Sequence, residues 1–207
     1  VLVDVRVERS GLVGLSITNR LHMHQLMPAV WMSLVPGPED EVRLSLYRSR
    51  ADRIMLWVCG FMTLVCLALA SVYGMWADAL LVALPTLGVA IWLVRHASGA
   101  ISTRLFMACA FMAYSALVIH LLLGDIEAHF SAFGLIGVLL YYRDWRVIAA
   151  ATVFIYVHHL ILGLAQSVGA PFYVFDTPEF WPTFLIHVAY FLPFIGMMCL
   201  LSIWLKS

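Results

Sequence analysis

The sequence predicts an all-α, polytopic membrane protein: a bundle of six transmembrane helices with both termini on the cytoplasmic side. Three observations predict it. The 207 residues are 63% hydrophobic and only 12% charged, with a mean hydropathy of +0.95, well beyond the roughly half-apolar composition of soluble domains. Six apolar stretches reach or approach the roughly 20 residues needed to cross a hydrocarbon core. Lys and Arg, which favour the cytoplasmic side, fall only in alternate connections between those stretches.

The predicted spans are 54–73, 78–95, 104–123, 126–142, 146–165 and 182–205. Arg43, Arg48, Arg50 and Arg53 precede the first, Arg95 and Arg104 join the second to the third, Arg143 and Arg146 join the fourth to the fifth, and Lys206 follows the sixth. The opposite connections carry Asp78, Asp125, Glu127, Asp176 and Glu179 instead. The acidic loops therefore face outward. Trp57, Trp76, Trp145, Trp181 and Trp204 lie near predicted span ends, where an amphipathic indole suits the headgroup zone. The fourth span is the shortest and opens on Glu127 and His129, so its polar end must sit at the interface or inside the bundle. The outer loop 166–181, aromatic and broken by Pro171 and Pro178, is expected to lie along the interface as a lid.

Residues 1–50 form a cytoplasmic lead-in without an apolar span, and residues 51–207 form the six-helix transmembrane domain. The change of character at Met32 predicts that translation begins there, which leaves residues 1–31 outside the natural chain. Formal net charge is zero and no basic block occurs, so nucleic acid has nothing to bind to. Cys59, Cys66, Cys109 and Cys199 all lie in apolar runs, with no C-x-x-C pair and no C-x-x-C-H. They read as small buried hydrophobes rather than disulfide or haem attachment points.

The chemistry-bearing residues are histidines. Five of the eight fall in spans three to six: His120, His129, His158, His159 and His187. At about 1.5 Å per residue, His120 lies roughly 24 Å beyond Arg104, His129 roughly 21 Å beyond Arg143, and His158 and His159 roughly 18–20 Å beyond Arg146. His187 lies roughly 28 Å from Lys206 by the same rise. Four helices thus bring imidazoles to one layer in the outer half of the membrane. A lone His near a helix end is more often an interfacial residue or a hydrogen-bonded core residue than a ligand, but imidazole is costly in hydrocarbon, and five at one depth point to a functional interior. Neutral imidazole ligates copper, iron and zinc, and ligands from facing helices can converge on one ion. A transition metal or a b-type haem is the expected cofactor, with Glu127 a further candidate ligand. His158 and His159 point about 100° apart and serve one site unequally or two neighbouring sites. Tyr156 and Tyr190 are candidate hydroxyl partners. No nucleophile paired with a base and no phosphate loop is present, so no catalytic residue is expected.

The stretch 119–146, IHLLLGDIEAHFSAFGLIGVLLYYRDWR, resembles N-terminal membrane regions of bacterial sensory proteins. The matching residues are His120, Gly124, Ile126, Glu127, His129, Phe130, Tyr142, Arg143, Asp144, Trp145, Arg146 and the pair His158–His159. The resemblance extends over about residues 48–205 and is specific in the 119–159 core. It implies the sensory input part of a histidine kinase, methyl-accepting chemotaxis protein or diguanylate cyclase. The group often has a second His two residues after the one matched by His129, where this chain has Ser131. Apart from the family, Arg143, Trp145 and Arg146 read as an anchor at the cytoplasmic surface.

The leading expectation is a sensory receptor module in the bacterial inner membrane, not itself an enzyme. Its expected partners are the lipid bilayer, a second copy in a homodimer, and a cytoplasmic signalling domain following residue 207. A haem-binding redox carrier and a transporter are the alternatives.

Overall fold

A computed structural model describes residues 38–177 and 179–205, and side chains from residue 43 onward. The start site at Met32, most of the lead-in, Pro178 and Lys206 lie outside the described residues. Residues from Ser45 onward form one compact unit. Six α-helices and no strand occur among the described residues: α1 (Pro38–Tyr73), α2 (Trp76–His96), α3 (Ile101–Leu121), α4 (Phe130–Leu139), α5 (Trp145–Ser167) and α6 (Phe180–Trp204). Single 3-10 turns at Glu127–His129 and Leu140–Tyr142 extend α4 at both ends.

Five helices are long and apolar enough to cross a membrane; α4 is not. The first helix begins far earlier than its apolar run. The Pro36-Gly37-Pro38 break places Pro38 at the first helical position, where its missing N–H is harmless, and the polar residues up to Arg53 continue the same helix.

The centre of the bundle is α3, whose sequence explains why. It carries Ala108, Ala110, Ser115 and Ala116 among flexible Met107 and Met112, small or adaptable side chains that let neighbours approach on every side. All of these are buried. The helices around it keep one narrow buried stripe each: on α2 only Ala79, Ala83 and Ala90 are buried, while Leu81 is 76% exposed. An apolar surface of that extent is what lipid would cover. Side chains of α1 reach α3 at Thr63, whose hydroxyl lies 2.7 Å from the Tyr114 hydroxyl. Helices α2, α4 and α5 pack on α3, and α6 packs chiefly on α5.

The bundle has two distinct ends. At the basic end Asp52 of α1 is fully buried; its carboxylate accepts from the Tyr142 hydroxyl at 2.7 Å and from the Gly99 N–H at 2.6 Å. Arg104, also buried, donates to the Gly99 carbonyl at 3.1 Å and reaches Asp144 at 3.4 Å. Asp144 caps α5 by accepting from the Arg146 N–H and forms a two-pronged pair with the Arg146 side chain at 3.0 Å. The Y-R-D-W-R turn is therefore more than a surface anchor: Tyr142 and Asp144 tie α1, α3 and α5 together.

At the other end the loop residues 168–177 fold back over the bundle as a lid. Gln166 holds it with three bonds, accepting from the Val174 and Phe175 N–H groups at 2.7 and 3.1 Å and donating to the Phe175 carbonyl at 2.7 Å. Gly124 and Gly163 make room for it. A Cβ on Gly124 would stand 2.6 Å from the Phe175 backbone, and one on Gly163 would stand 2.6 Å from the Phe180 ring. Because residues 122–126 lie at this end and Tyr142 and Asp144 lie at the other, α4 with its 3-10 turns traverses the bundle despite its length.

Candidate functional site

Three of the five histidines singled out by the sequence meet beneath the lid. His129 comes from the turn before α4, His159 from α5 and His187 from α6. Ring centroids lie 4.8 Å apart for His129–His187, 5.4 Å for His129–His159 and 6.2 Å for His159–His187. Phe175 of the lid covers them, its ring 5.1 Å from His187, 5.7 Å from His159 and parallel to His129 at 6.2 Å.

The three rings share one local arrangement. Each Nδ1 sits against the carbonyl one helical turn back: Asp125 for His129 at 2.9 Å, Ile155 for His159 at 2.9 Å and Thr183 for His187 at 2.8 Å. A carbonyl only accepts, so in the neutral ring Nδ1 carries the hydrogen and Nε2 presents a lone pair. The lid backbone at Val174 comes close to the His129 ring, yet His129 Nε2 and His187 Nε2 are buried without a hydrogen-bond partner.

These rings form one wall of a cavity of ≈ 440 Å³ bounded by α3, α4, α5 and α6. The remaining walls are aliphatic and aromatic, among them Ile119, Phe133, Ile155 and Phe191. Tyr156 and Tyr190 also line it, and the buried Tyr156 hydroxyl has no partner either. The outer rim, with Phe130, Ile186 and Tyr190, is exposed on the apolar flank of the bundle. A cavity of this size with few convergent polar groups is the usual form of a small-molecule site.

The other candidates fall elsewhere. His120 lies on the α2 side of α3, its Nδ1 accepting from the Tyr173 N–H at 3.2 Å and its Nε2 3.9 Å from the Asp78 carboxylate. His158 does not line the cavity; its Nδ1 lies 3.4 Å from that of His159. The 100° divergence of successive helical residues thus produces two neighbouring groups rather than one five-membered layer. Glu127 is exposed at the mouth of the bundle beside Asp125 and does not line the cavity. Ser131 faces α3, its hydroxyl 2.7 Å from Ser115. The four cysteines are free thiols, with Cys59 and Cys66 buried.

Among the described residues, no group of three or more His, Cys, Asp and Glu side chains stands in position to hold a metal ion. The three rings have the right donor atoms and the right Nδ1 supports but are tilted against one another rather than drawn around a point. A haem fits less well, since no Lys or Arg lines the cavity to meet its propionates.

Sequence reasoning missed Phe175 and Gln166, which roof the site and hold the roof in place. Gly124 and Gly163, one helical step from histidine-bearing stretches, were the available signals of a close approach. No protein-family model, curated protein or solved structure matches this chain.

Proposed function

We propose that this chain is the membrane-embedded sensory input module of a bacterial signal-transduction receptor, with the imidazole-lined cavity as its stimulus site. The observation that carries the reading is the meeting of His129, His159 and His187, from three separate elements, in a cavity that is otherwise apolar. Polar side chains inside a membrane are costly and cluster where binding or conduction occurs. Six crossings of the inner membrane, with both ends cytoplasmic, are supported by the separation of basic from acidic connections and by the passage of α4 from the lid end to the Asp144 end.

In this reading α6 forms one wall of the cavity and runs on to the cytoplasmic end. An occupant that binds two positions of α6 with different affinity shifts the balance between them, and by no more than that difference. The test joins the chain to a cytoplasmic kinase output and measures autophosphorylation in membranes given lipid extract or transition-metal salts. A response that disappears with His187→Ala or His129→Ala, with membrane insertion retained, is the expected result. An output indifferent to both substitutions under every condition rejects the reading.

A transition-metal ion, copper, iron or zinc, held by the same three rings is the second reading. The Nδ1–carbonyl supports favour it, because ligating imidazoles almost always donate their other N–H in this way. Elemental analysis of the purified chain tests it: about one ion per chain, absent from His129→Ala, is expected under this reading.

A further inference from the structure

We propose that the cavity binds a lipid-soluble hydroquinone and takes it in preference to the corresponding quinone. The proposal rests on reading the cavity as the stimulus site and names the ligand class of that site.

Three polar atoms on the wall of one cavity are buried without partners: His129 Nε2, His187 Nε2 and the Tyr156 hydroxyl. Orphaned polar atoms are uncommon in folded proteins, and three around one space indicate that a ligand supplies what they lack. Their chemistry restricts that ligand. Both imidazoles have committed Nδ1–H to a backbone carbonyl, so each Nε2 can only accept. The Tyr156 hydroxyl can donate or accept. The occupant must therefore bring one hydrogen-bond donor to each Nε2 and an oxygen within reach of the Tyr156 hydroxyl.

Its body must suit the rest of the wall, where Phe133, Phe191 and Ile119 offer flat and aliphatic surface. Its route is set by the rim. Phe130 is 66% exposed and Tyr190 77% exposed on the flank that lipid would cover, so entry is from the bilayer. A substituted hydroquinone satisfies every condition: an apolar aromatic ring, two O–H donors, two acceptor oxygens and solubility in lipid. The quinone has the same ring but only acceptors. Its oxygen opposite Nε2 would set lone pair against lone pair and leave both unpaired. The cavity thus reads the reduction state of a membrane-borne ring by hydrogen-bond polarity alone, with no electron transferred.

The test uses the full chain in phosphatidylcholine nanodiscs under anaerobic conditions, with empty nanodiscs as the partition blank. Radiolabelled duroquinol, kept reduced by dithionite, is compared with duroquinone. Saturable binding near one per chain is expected for the quinol, about 25-fold tighter than for the quinone, as two hydrogen bonds of about fivefold each predict. Tyr156→Phe, which keeps the ring, is expected to weaken quinol binding about fivefold by the same value per bond. His187→Phe is expected to reduce the preference to about fivefold, the share of His129 alone; should it fail to insert, the quinol–quinone comparison and Tyr156→Phe decide alone. Equal affinities, a preference for the quinone, absence of saturable binding, or a stoichiometric metal ion on the rings that excludes the quinol each overturn the proposal. Those outcomes leave the kinase-fusion response to His187→Ala untouched. Loss of that response with quinol binding intact would instead reject the sensory role.

Discussion

Asp144 performs three tasks with one carboxylate: it caps α5, pairs with Arg146 and meets the buried Arg104. Burial alone would raise its pKa, but the hydrogen bonds and charge of Arg146, with Arg104 behind them, hold it below the ordinary carboxylate value. The contribution to stability is then fully present above the unfolded value, about 3.9, and is lost as pH falls through the lower folded value. Asp144→Asn keeps a good capping side chain but removes the charge and turns one of the two acceptor oxygens into a donor. It is expected to cost roughly 1–3 kcal/mol at pH 7, read as a lowered unfolding midpoint in nanodiscs, and to flatten the loss of stability that the parent shows below about pH 4. Among the histidines, the constant helical rise makes position along each helix legible in the sequence. Direction around each helix was legible only for the adjacent pair His158–His159. His120 was grouped with the others because distance from Arg104 fixes its height but not whether it faces the cavity or Asp78. Nothing in residue spacing marked Tyr156 as an unpartnered hydroxyl.

The element least readable in advance was the lid. Its two prolines predicted an irregular outer loop, but attachment depends on Gln166 side-chain bonds to the backbone and on the absence of a Cβ at two glycines. Gly124 also has a φ of +84°, a conformation other residues adopt at a cost. Gly124→Ala therefore meets both the backbone conformation and the Phe175 carbonyl, 2.7 Å from the added carbon. Backbone cannot yield as a flexible side chain does, so the lid must lift. Faster hydrogen exchange at residues 170–177, with exchange of α1 and α2 unchanged, is the expected outcome; an unaltered lid would show that Gly124 is not its seat. The fourth helix was legible as an oddity. Its ten α-helical residues cross the bundle only because a 3-10 turn at each end adds length, and local hydropathy does not announce those turns.

For the whole molecule, the all-helical architecture followed from apolar run lengths. The centrality of α3 followed from its small residues only once packing was seen. The charge asymmetry of the two ends makes a topological prediction. In a background with all four cysteines replaced, Val168→Cys in the lid loop is expected to react with a membrane-impermeant maleimide on intact spheroplasts. Ser98→Cys, between α2 and α3, is expected to react only after permeabilisation; the reverse pattern would invert the orientation. The packing of α6 chiefly on α5 has a mechanical result. His187 sits near one end of α6 and Trp204 at the other, roughly 26 Å apart at about 1.5 Å per residue. A tilt of about 3° at the imidazole end swings the far end by roughly 1.3 Å over that length. Pro193, between them, interrupts the helical hydrogen bonding, so α6 is a lever with a compliant midpoint, and how stiff that midpoint is decides how much of the swing arrives.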